Sequence, residues 1–406
     1  MGRTEQLIEE VDRWSAHNYH PLPVVIERGE GCWVWDVEGN RYLDMLSAYS
    51  AVNQGHRHPK IIAALLDQAQ RLTLTSRAFH NDLMGPFLRQ VCELVGYPKA
   101  LPMNTGAEAV ETAIKAVRKW GYTVKGVAAD SAEIIVCEEN FHGRTTTIVG
   151  FSTEHQYRHG FGPFTPGFKM IPYGDVEALR AAISPNTVGF LVEPIQGEGG
   201  VIVPPNGYLK AAAQLCRAAN VKLMADEIQT GLGRTGRMLA CEWEGVRPDV
   251  VMLGKALGGG VYPVSAMLAD EDVMDVFKPG DHGSTFGGNP LAAAVGRAAL
   301  DVLVDEQLPQ RAAELGDWFM DELRAIDSTH VAEVRGKRLM IGLVIKDSSG
   351  TARPFCEAMM VRNILAKETH QQVVRFAPPL VVPRKVLAEA LESIRDVLQA
   401  PVAQPS

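Results

Sequence analysis

The chain of 406 residues has no apolar run long enough to span a bilayer. Its opening residues, Met1 to Glu10, are acidic and lack the apolar stretch of a secretory leader, and Gln6 breaks the myristoylation pattern. These absences predict a cytoplasmic protein with no membrane partner. A basic excess is missing too: the formal net charge is −8 and Lys and Arg are scattered, which leaves no basic stripe for nucleic acid. The six cysteines (Cys32, Cys92, Cys137, Cys216, Cys241 and Cys356) form no Cys-x-x-Cys pair and read as reduced, buried thiols. His-Glu-x-x-His and Gly-x-Ser-x-Gly are absent, no Gly-x-Gly-x-x-Gly follows a first strand, and His56 and His58 are too few and wrongly spaced for a zinc helix. Zinc-protease, serine-hydrolase and dinucleotide-fold readings therefore fail.

What the chain does have is length for about two domains and two apolar runs that end in chemistry. Val221–Ala225 leads into Asp226, and Asp249–Gly254 leads into Lys255, so both side chains are expected where buried strands end, the place at which open α/β sheets bind ligands. A lysine desolvated near other cations becomes a neutral amine able to form a Schiff base, and a buried carboxylate can hold a proton on a pyridine nitrogen. That pair suits pyridoxal 5'-phosphate, whose ring is an electron sink. Taken singly, either residue reads more readily as an ordinary surface group after a strand.

Along the chain, Leu7, Ile8, Val11 and Trp14 have helical spacing, and the prolines at 21 and 23 make the stretch Asn18–Pro23 extended. Residues 24–26, 32–36 and 42–44 read as short strands of an antiparallel unit, with Tyr49 in the loop beyond it as a packing residue on general grounds. Helices are expected at 59–72, 83–94, 208–219, 290–303, 311–326 and 386–398. Strands are expected at 132–137, 187–192, 264–269, 340–345 and 373–375. The loop at 102–106 passes into an Ala-rich helix, and the small residues Thr105, Gly106 and Ala107 leave its first N–H groups open to an anion; the alternative is a plain N-cap by Asn104 or Thr105. Phe141 could stack on a flat ring and Arg144 could grip a carboxylate. Residues 161–168 read as a turn-rich loop without chemistry, and the tail 400–406 as frayed. Alternating strands and helices imply a mostly parallel sheet whose edge gathers Phe141, Glu193, Asp226 and Lys255.

Asp226–Gly236 and Gly254–Gly260 together resemble the aspartate and lysine segments of class III, fold-type I aminotransferases. The resemblance runs from about Tyr19 to Pro383. It is closest to the ornithine branch through Asn18–Pro23, Ser50–His56 and Arg118–Gly126, while Glu193–Gly200, His282–Pro290 and Arg375–Leu380 are shared across the class. It implies an α/β fold-type I transferase: a large domain with a mostly parallel central sheet, and a smaller α+β domain built from both chain ends. The expected division is 1–50 (packing with the small domain), 51–304 (cofactor domain) and 305–406 (small domain).

Residue by residue, the resemblance implies that Lys255 holds pyridoxal 5'-phosphate and shuttles a proton, and that Asp226 keeps the ring nitrogen protonated. Phe141 would cover the ring and Gln229 would bond the 3-oxygen region. Thr105, Gly106 and Ala107 would bind phosphate with Thr285 from the other subunit of a homodimer or larger oligomer. Tyr19 and Arg144 would hold the head of L-ornithine, Tyr49 would line the pocket, and Arg375 would take the carboxylate of 2-oxoglutarate, screened by Glu193 while ornithine is bound. The implied reaction gives glutamate 5-semialdehyde and glutamate. His142 stands where many eukaryotic ornithine enzymes have tryptophan and acetylornithine enzymes often have histidine, so the alternative is an acetylornithine or other ω-amino acid aminotransferase. A pyridoxal-dependent racemase, mutase or decarboxylase would not need both Arg144 and Arg375, and a non-catalytic relative would more plausibly have lost Lys255 or Asp226.

Overall fold

The computed structural model describes residues 2–400. The tail expected to fray lies, from Pro401 onward, outside the described residues.

The central sheet has seven strands, in the spatial order Lys99–Met103, Ser265–Ala269, Val250–Leu253, Lys222–Asp226, Thr187–Val192, Glu133–Cys137 and Phe168–Ile171. Ser265–Ala269 runs antiparallel to both its neighbours, and the ladders from Val250–Leu253 to Phe168–Ile171 are parallel. Thr187–Val192, Val250–Leu253 and Ser265–Ala269 are buried along their whole length, and Glu133–Cys137 and Lys222–Asp226 are buried after their first residue, which is why the inner strands read as apolar runs. Successive residues nonetheless serve opposite faces. Leu223, Ala225, Val251 and Leu253 join one core cluster, while Met224, Val250 and Met252 join the other. The Gly106–Trp120 helix covers this second face, with Ala109, Val110, Ala113, Ile114 and Val117 against the sheet.

Two strands of this sheet were not legible. Lys99–Met103 contains Pro102 and sits at the sheet edge, where a missing N–H is tolerated. Phe168–Ile171, the other edge, begins at the last residue of the stretch expected to be only a loop, and Ile171 alone of its four residues is buried, so it lacks the apolar run of the inner strands. The small antiparallel unit forms from Ile26–Glu30, Trp33–Asp36 and Arg41–Asp44; its first strand lies later than the expected 24–26 and shares only Ile26 with it, and its fourth strand is Ile364–Leu365, parallel to Arg41–Asp44. A third, antiparallel sheet is ordered Val331–Lys337, Met340–Ile345, Val373–Phe376, Lys367–Thr369.

Tyr49 is not in an ordinary loop. Ser47, Ala48, Tyr49 and Ser50 all have positive φ, from 45° to 73°, and form one left-handed turn. L-residues resist this conformation by roughly 1–2 kcal/mol each. The turn persists because its surroundings hold it: Asp44 Oδ1 accepts the N–H groups of Leu46 (2.8 Å) and Ser47 (2.9 Å), and Ser47 Oγ donates to the carbonyl of Ala377 (2.6 Å).

Candidate active site

The ends of four strands supply one cavity of about 200 Å³. Its walls include Gly106, Ala107, Phe141, His142, Glu193, Glu198, Asp226, Gln229 and Lys255. Phe141, Glu193, Asp226 and Lys255 thus converge as the strand pattern predicts. Lys255 follows Val250–Leu253 and adopts φ 46°, a strained value for a side-chain-bearing residue that aims it into the site. Burial pulls its pKa down, assisted by the Arg375 charge, while the carboxylates of Glu198, Asp226 and Glu193 oppose the shift.

Asp226 is 5 % exposed. Its Oδ1 accepts the Ile228 N–H at 3.1 Å and its Oδ2 meets His142 Nδ1 at 2.7 Å. Burial disfavours charge on the imidazole, but the hydrogen bond and the charge of Asp226 outweigh it, so the His142 pKa is raised. Beside them Glu193 accepts the Phe141 N–H at 2.9 Å. Burial pushes the Glu193 carboxyl up to about 7 against the lowering influence of His142. The result is a dry group of two acids and one histidine under the cavity.

At the other end the Gly106–Trp120 helix begins. Thr105 is its N-cap in a capping box: Thr105 Oγ1 accepts the Glu108 N–H (3.2 Å) and Glu108 Oε2 accepts the Thr105 N–H (2.8 Å). Capping leaves the N–H groups of Gly106 and Ala107 without partners inside the helix, at its positive end. A Cβ at Gly106 would stand 3.0 Å from Ile228 Cδ1, so the approach to this terminus is kept open by the lack of a side chain.

Across the cavity Arg375, 2 % exposed, is paired with Glu198: Nη1 to Oε1 is 2.8 Å and Nη2 to Oε2 is 3.4 Å. Gln229 Nε2 donates to the same Oε1 at 3.2 Å. Burial works against ionisation of Glu198, yet Arg375 overcomes it and holds the carboxyl down at about 2. Gly197 permits this arrangement, because a Cβ there would fall 1.5 Å from Gln229 Oε1.

The Aminotransferase class-III family model matches residues 14–398. The chain is a class-III aminotransferase. It is 59 % identical over 397 residues to an ornithine aminotransferase of Geobacillus sp. (strain WCH70), covering 98 % of this chain and 99 % of that one. The corresponding Bacillus subtilis (strain 168) protein is 57 % identical over 399 residues, with 98 % and 99 % coverage. Among solved structures, the ornithine aminotransferase of Toxoplasma gondii, with pyridoxal phosphate at partial occupancy in its active site, superposes with a TM-score of 0.96 at 49 % identity, covering 97 % and 94 % of the two chains. An acetylornithine aminotransferase from Elizabethkingia anophelis reaches 0.89 at 49 % identity, with 98 % and 99 % coverage.

In this class-III aminotransferase the remaining expected residues, Tyr19, Tyr49, Arg144 and Thr285, stand outside the walls of this cavity. Tyr49, on its left-handed turn, places its ring 4.7 Å from Arg375 Cζ. Arg144 is exposed and stacks over Tyr157 at 3.8 Å and over Phe141 at 5.7 Å. Tyr19 is 75 % exposed, within electrostatic reach of Tyr49 and Tyr157. Thr285 is exposed and does not line its own chain's cavity.

One expectation is corrected. Glu193 does not screen Arg375; it lies beside His142 and Phe141, and Glu198 forms the ion pair. Both acids sit in the same Glu193–Gly200 segment, and only its path after Pro194 decides which one faces the arginine. Two partners went unread in the sequence: Tyr157 under Arg144, from a region without a motif, and His142 as the hydrogen-bond partner of Asp226. The sole sequence signal for the latter was a histidine following an aromatic at a strand end.

Proposed function

We propose that the chain transfers the δ-amino group of L-ornithine to 2-oxoglutarate with pyridoxal 5'-phosphate as cofactor, giving L-glutamate 5-semialdehyde and L-glutamate. The observation that carries this reading is Arg375 neutralised by Glu198 beside Lys255. An uncovered arginine there would draw the α-carboxylate of ornithine toward the lysine and present the wrong amine. With Glu198 in place, the guanidinium left for a carboxylate is that of Arg144 at the rim, so ornithine is held by its head with the δ-amine inward.

The cavity fits the cofactor: a buried acid faces, across it, the helix terminus at Gly106 and Ala107, Phe141 forms a wall, and Gln229 Oε1 is buried without a partner. Pyridoxal phosphate, when bound, supplies the electron-withdrawing ring on which an amino group and a carbonyl are exchanged. Lys255 Nζ would anchor it and carry the proton between carbon atoms. Asp226, oriented by His142, would hold the proton on the ring nitrogen, and the Gly106 and Ala107 N–H groups, with Thr105, would bind the phosphate. In the second half-reaction Glu198 leaves Arg375, which then receives the α-carboxylate of the oxo acid. Tyr19 and Tyr49 would bound the ornithine pocket.

We also propose a homodimer or larger homo-oligomer in which Thr285 of one copy adds to the phosphate site of another. The exposure of Thr285 and of Phe286 (47 %) supports this. Residues 51–304 would form the cofactor domain and 305–406 the small domain, with 1–50 packed on it, as the shared strand Ile364–Leu365 supports. All six cysteines are free and buried, which suits a cytoplasmic location. No helix among the described residues is long and apolar enough to cross a membrane.

His142 and the acetylornithine relative favour one second reading, an acetylornithine aminotransferase. Ornithine, N-acetylornithine, 4-aminobutyrate and lysine should be assayed side by side with 2-oxoglutarate and the product aldehyde identified. Ornithine should be preferred and should yield the semialdehyde; preference for N-acetylornithine would overturn the reading.

A further inference from the structure

Arg234 is fully buried, at 0 % exposure. Among the described residues no carboxylate forms an ion pair with it; the acid whose charge acts on it is Asp44, itself engaged by His56 at 2.7 Å. A charge withdrawn from water without a counter-charge is costly, so its place in the fold rests on what its N–H groups hold. Nη1 donates to the carbonyls of Leu339 (2.9 Å) and Pro378 (2.7 Å), and Nη2 donates to Asn53 Oδ1 (2.5 Å). These acceptors come from three segments distant in sequence.

All three segments border the substrate arginine. Pro378 follows Arg375 along the chain by one short step, and the residues between and after them are gripped in turn. The Ala377 N–H donates to the Met45 carbonyl (2.7 Å), the Ala377 carbonyl accepts from Ser47 Oγ (2.6 Å), and the Leu380 N–H donates to the Asn53 carbonyl (2.8 Å). Asn53 Nδ2 donates back to the Leu232 carbonyl at 3.0 Å, beside Arg234 itself. Ser47 opens the left-handed turn that carries Tyr49, whose ring lies against Arg375.

We propose that Arg234 is a positioning residue for the oxo-acid half-reaction: it ties the Arg375–Leu380 stretch to the Ser47–Asn53 turn, and so sets Arg375 against Tyr49 in the pose that receives an α-carboxylate. This rests on the reading that Arg375 binds the oxo acid. The ornithine half-reaction, with Arg375 occupied by Glu198, depends on that pose far less. Lysine cannot replace the arginine, because a single ammonium lacks the planar fork that reaches two carbonyls from one nitrogen and an amide from the other.

The test uses the holoenzyme of Arg234→Lys, with Ser47→Ala as a milder cut in the same network and Arg375→Lys as control. Single-turnover spectra give each half-reaction separately, and calorimetry gives the Kd of glutarate, an unreactive dicarboxylate. Arg234→Lys should raise the KM for 2-oxoglutarate and the glutarate Kd by roughly 10- to 100-fold, with bound cofactor unchanged and the ornithine half-reaction within about threefold. Ser47→Ala should shift the same quantities in the same direction by less, and it decides the matter should Arg234→Lys fail to fold. Equal losses in both half-reactions, tracking a fall in Tm, or no change in a folded variant, overturn the proposal. Should Arg375→Lys itself spare the oxo-acid half-reaction, the assignment of Arg375 is wrong and the proposal falls with it. Should Arg375→Lys discriminate while Arg234→Lys does not, only the positioning role is lost.

Discussion

Glu198 covers Arg375 with two contacts, Oε1 to Nη1 at 2.8 Å and Oε2 to Nη2 at 3.4 Å, while Glu193 turns the other way to accept the Phe141 N–H. Two acids of one short segment thereby take unlike roles, one as a displaceable counter-ion and the other as a buried member of the His142–Asp226 group.

Glu198→Ala exposes Arg375 to any α-carboxylate. Transfer of the δ-amine from ornithine should fall, α-amino transfer from simple amino acids should rise, and the oxo-acid half-reaction should be preserved. Arg375→Ala should do the reverse, weakening 2-oxoglutarate by about 2–5 kcal/mol because the ion pair it forms is desolvated. Single-turnover spectra of each half-reaction check both; an unchanged δ/α preference in Glu198→Ala would show that the pair is structural.

Lys255→Ala removes the amine that anchors the cofactor and moves the proton. Cofactor should still bind through the helix terminus and Asp226, and turnover should vanish. Borohydride reduction and peptide mapping of the unaltered enzyme locate the anchor, and a label on any other lysine sinks the assignment.

Glu193 gives a pH signature. Its folded pKa is raised to about 7, so the fold binds a proton that the unfolded chain releases near the ordinary value of 4.5. Its stabilising effect is therefore full below the unfolded value and is lost as pH rises through 7, by up to about 3 kcal/mol. His142, also raised, acts in the same direction. Glu193→Gln keeps the uncharged form, and denaturant melts of this variant between pH 5 and 8 should show a flatter profile than the wild type. An unaltered profile would mean that Glu193 does not titrate there.

Tyr19 is exposed, and its effect should appear only with a substrate that reaches the rim. Tyr19→Phe should weaken ornithine by roughly 0.5–1.5 kcal/mol and leave the oxo-acid half-reaction alone. Equal losses in the two half-reactions, measured with the same spectra, would assign it to packing.

The chemistry of this protein was legible where function coincides with a strand end. Asp226 and Lys255 close buried runs whose length and apolarity announce a parallel sheet, so the sequence by itself determined the fold class, the edge at which the site forms and the residues Phe141, Gly106 and Ala107 around it. Edge strands such as Lys99–Met103 escaped because half-burial and a proline erase the apolar signal. Tertiary structure alone decided which partner each site residue has. Whether Glu193 or Glu198 meets Arg375 depends on a backbone that packs Gly197 against Gln229, and whether Tyr49 meets it depends on a left-handed turn that non-glycine residues adopt only under outside restraint. The bonds from Asp44 that help impose this restraint are local, but those to Ala377 and, through Asn53, to Arg234 reach the far end of the chain and its middle, and no local pattern encodes a contact between such distant segments.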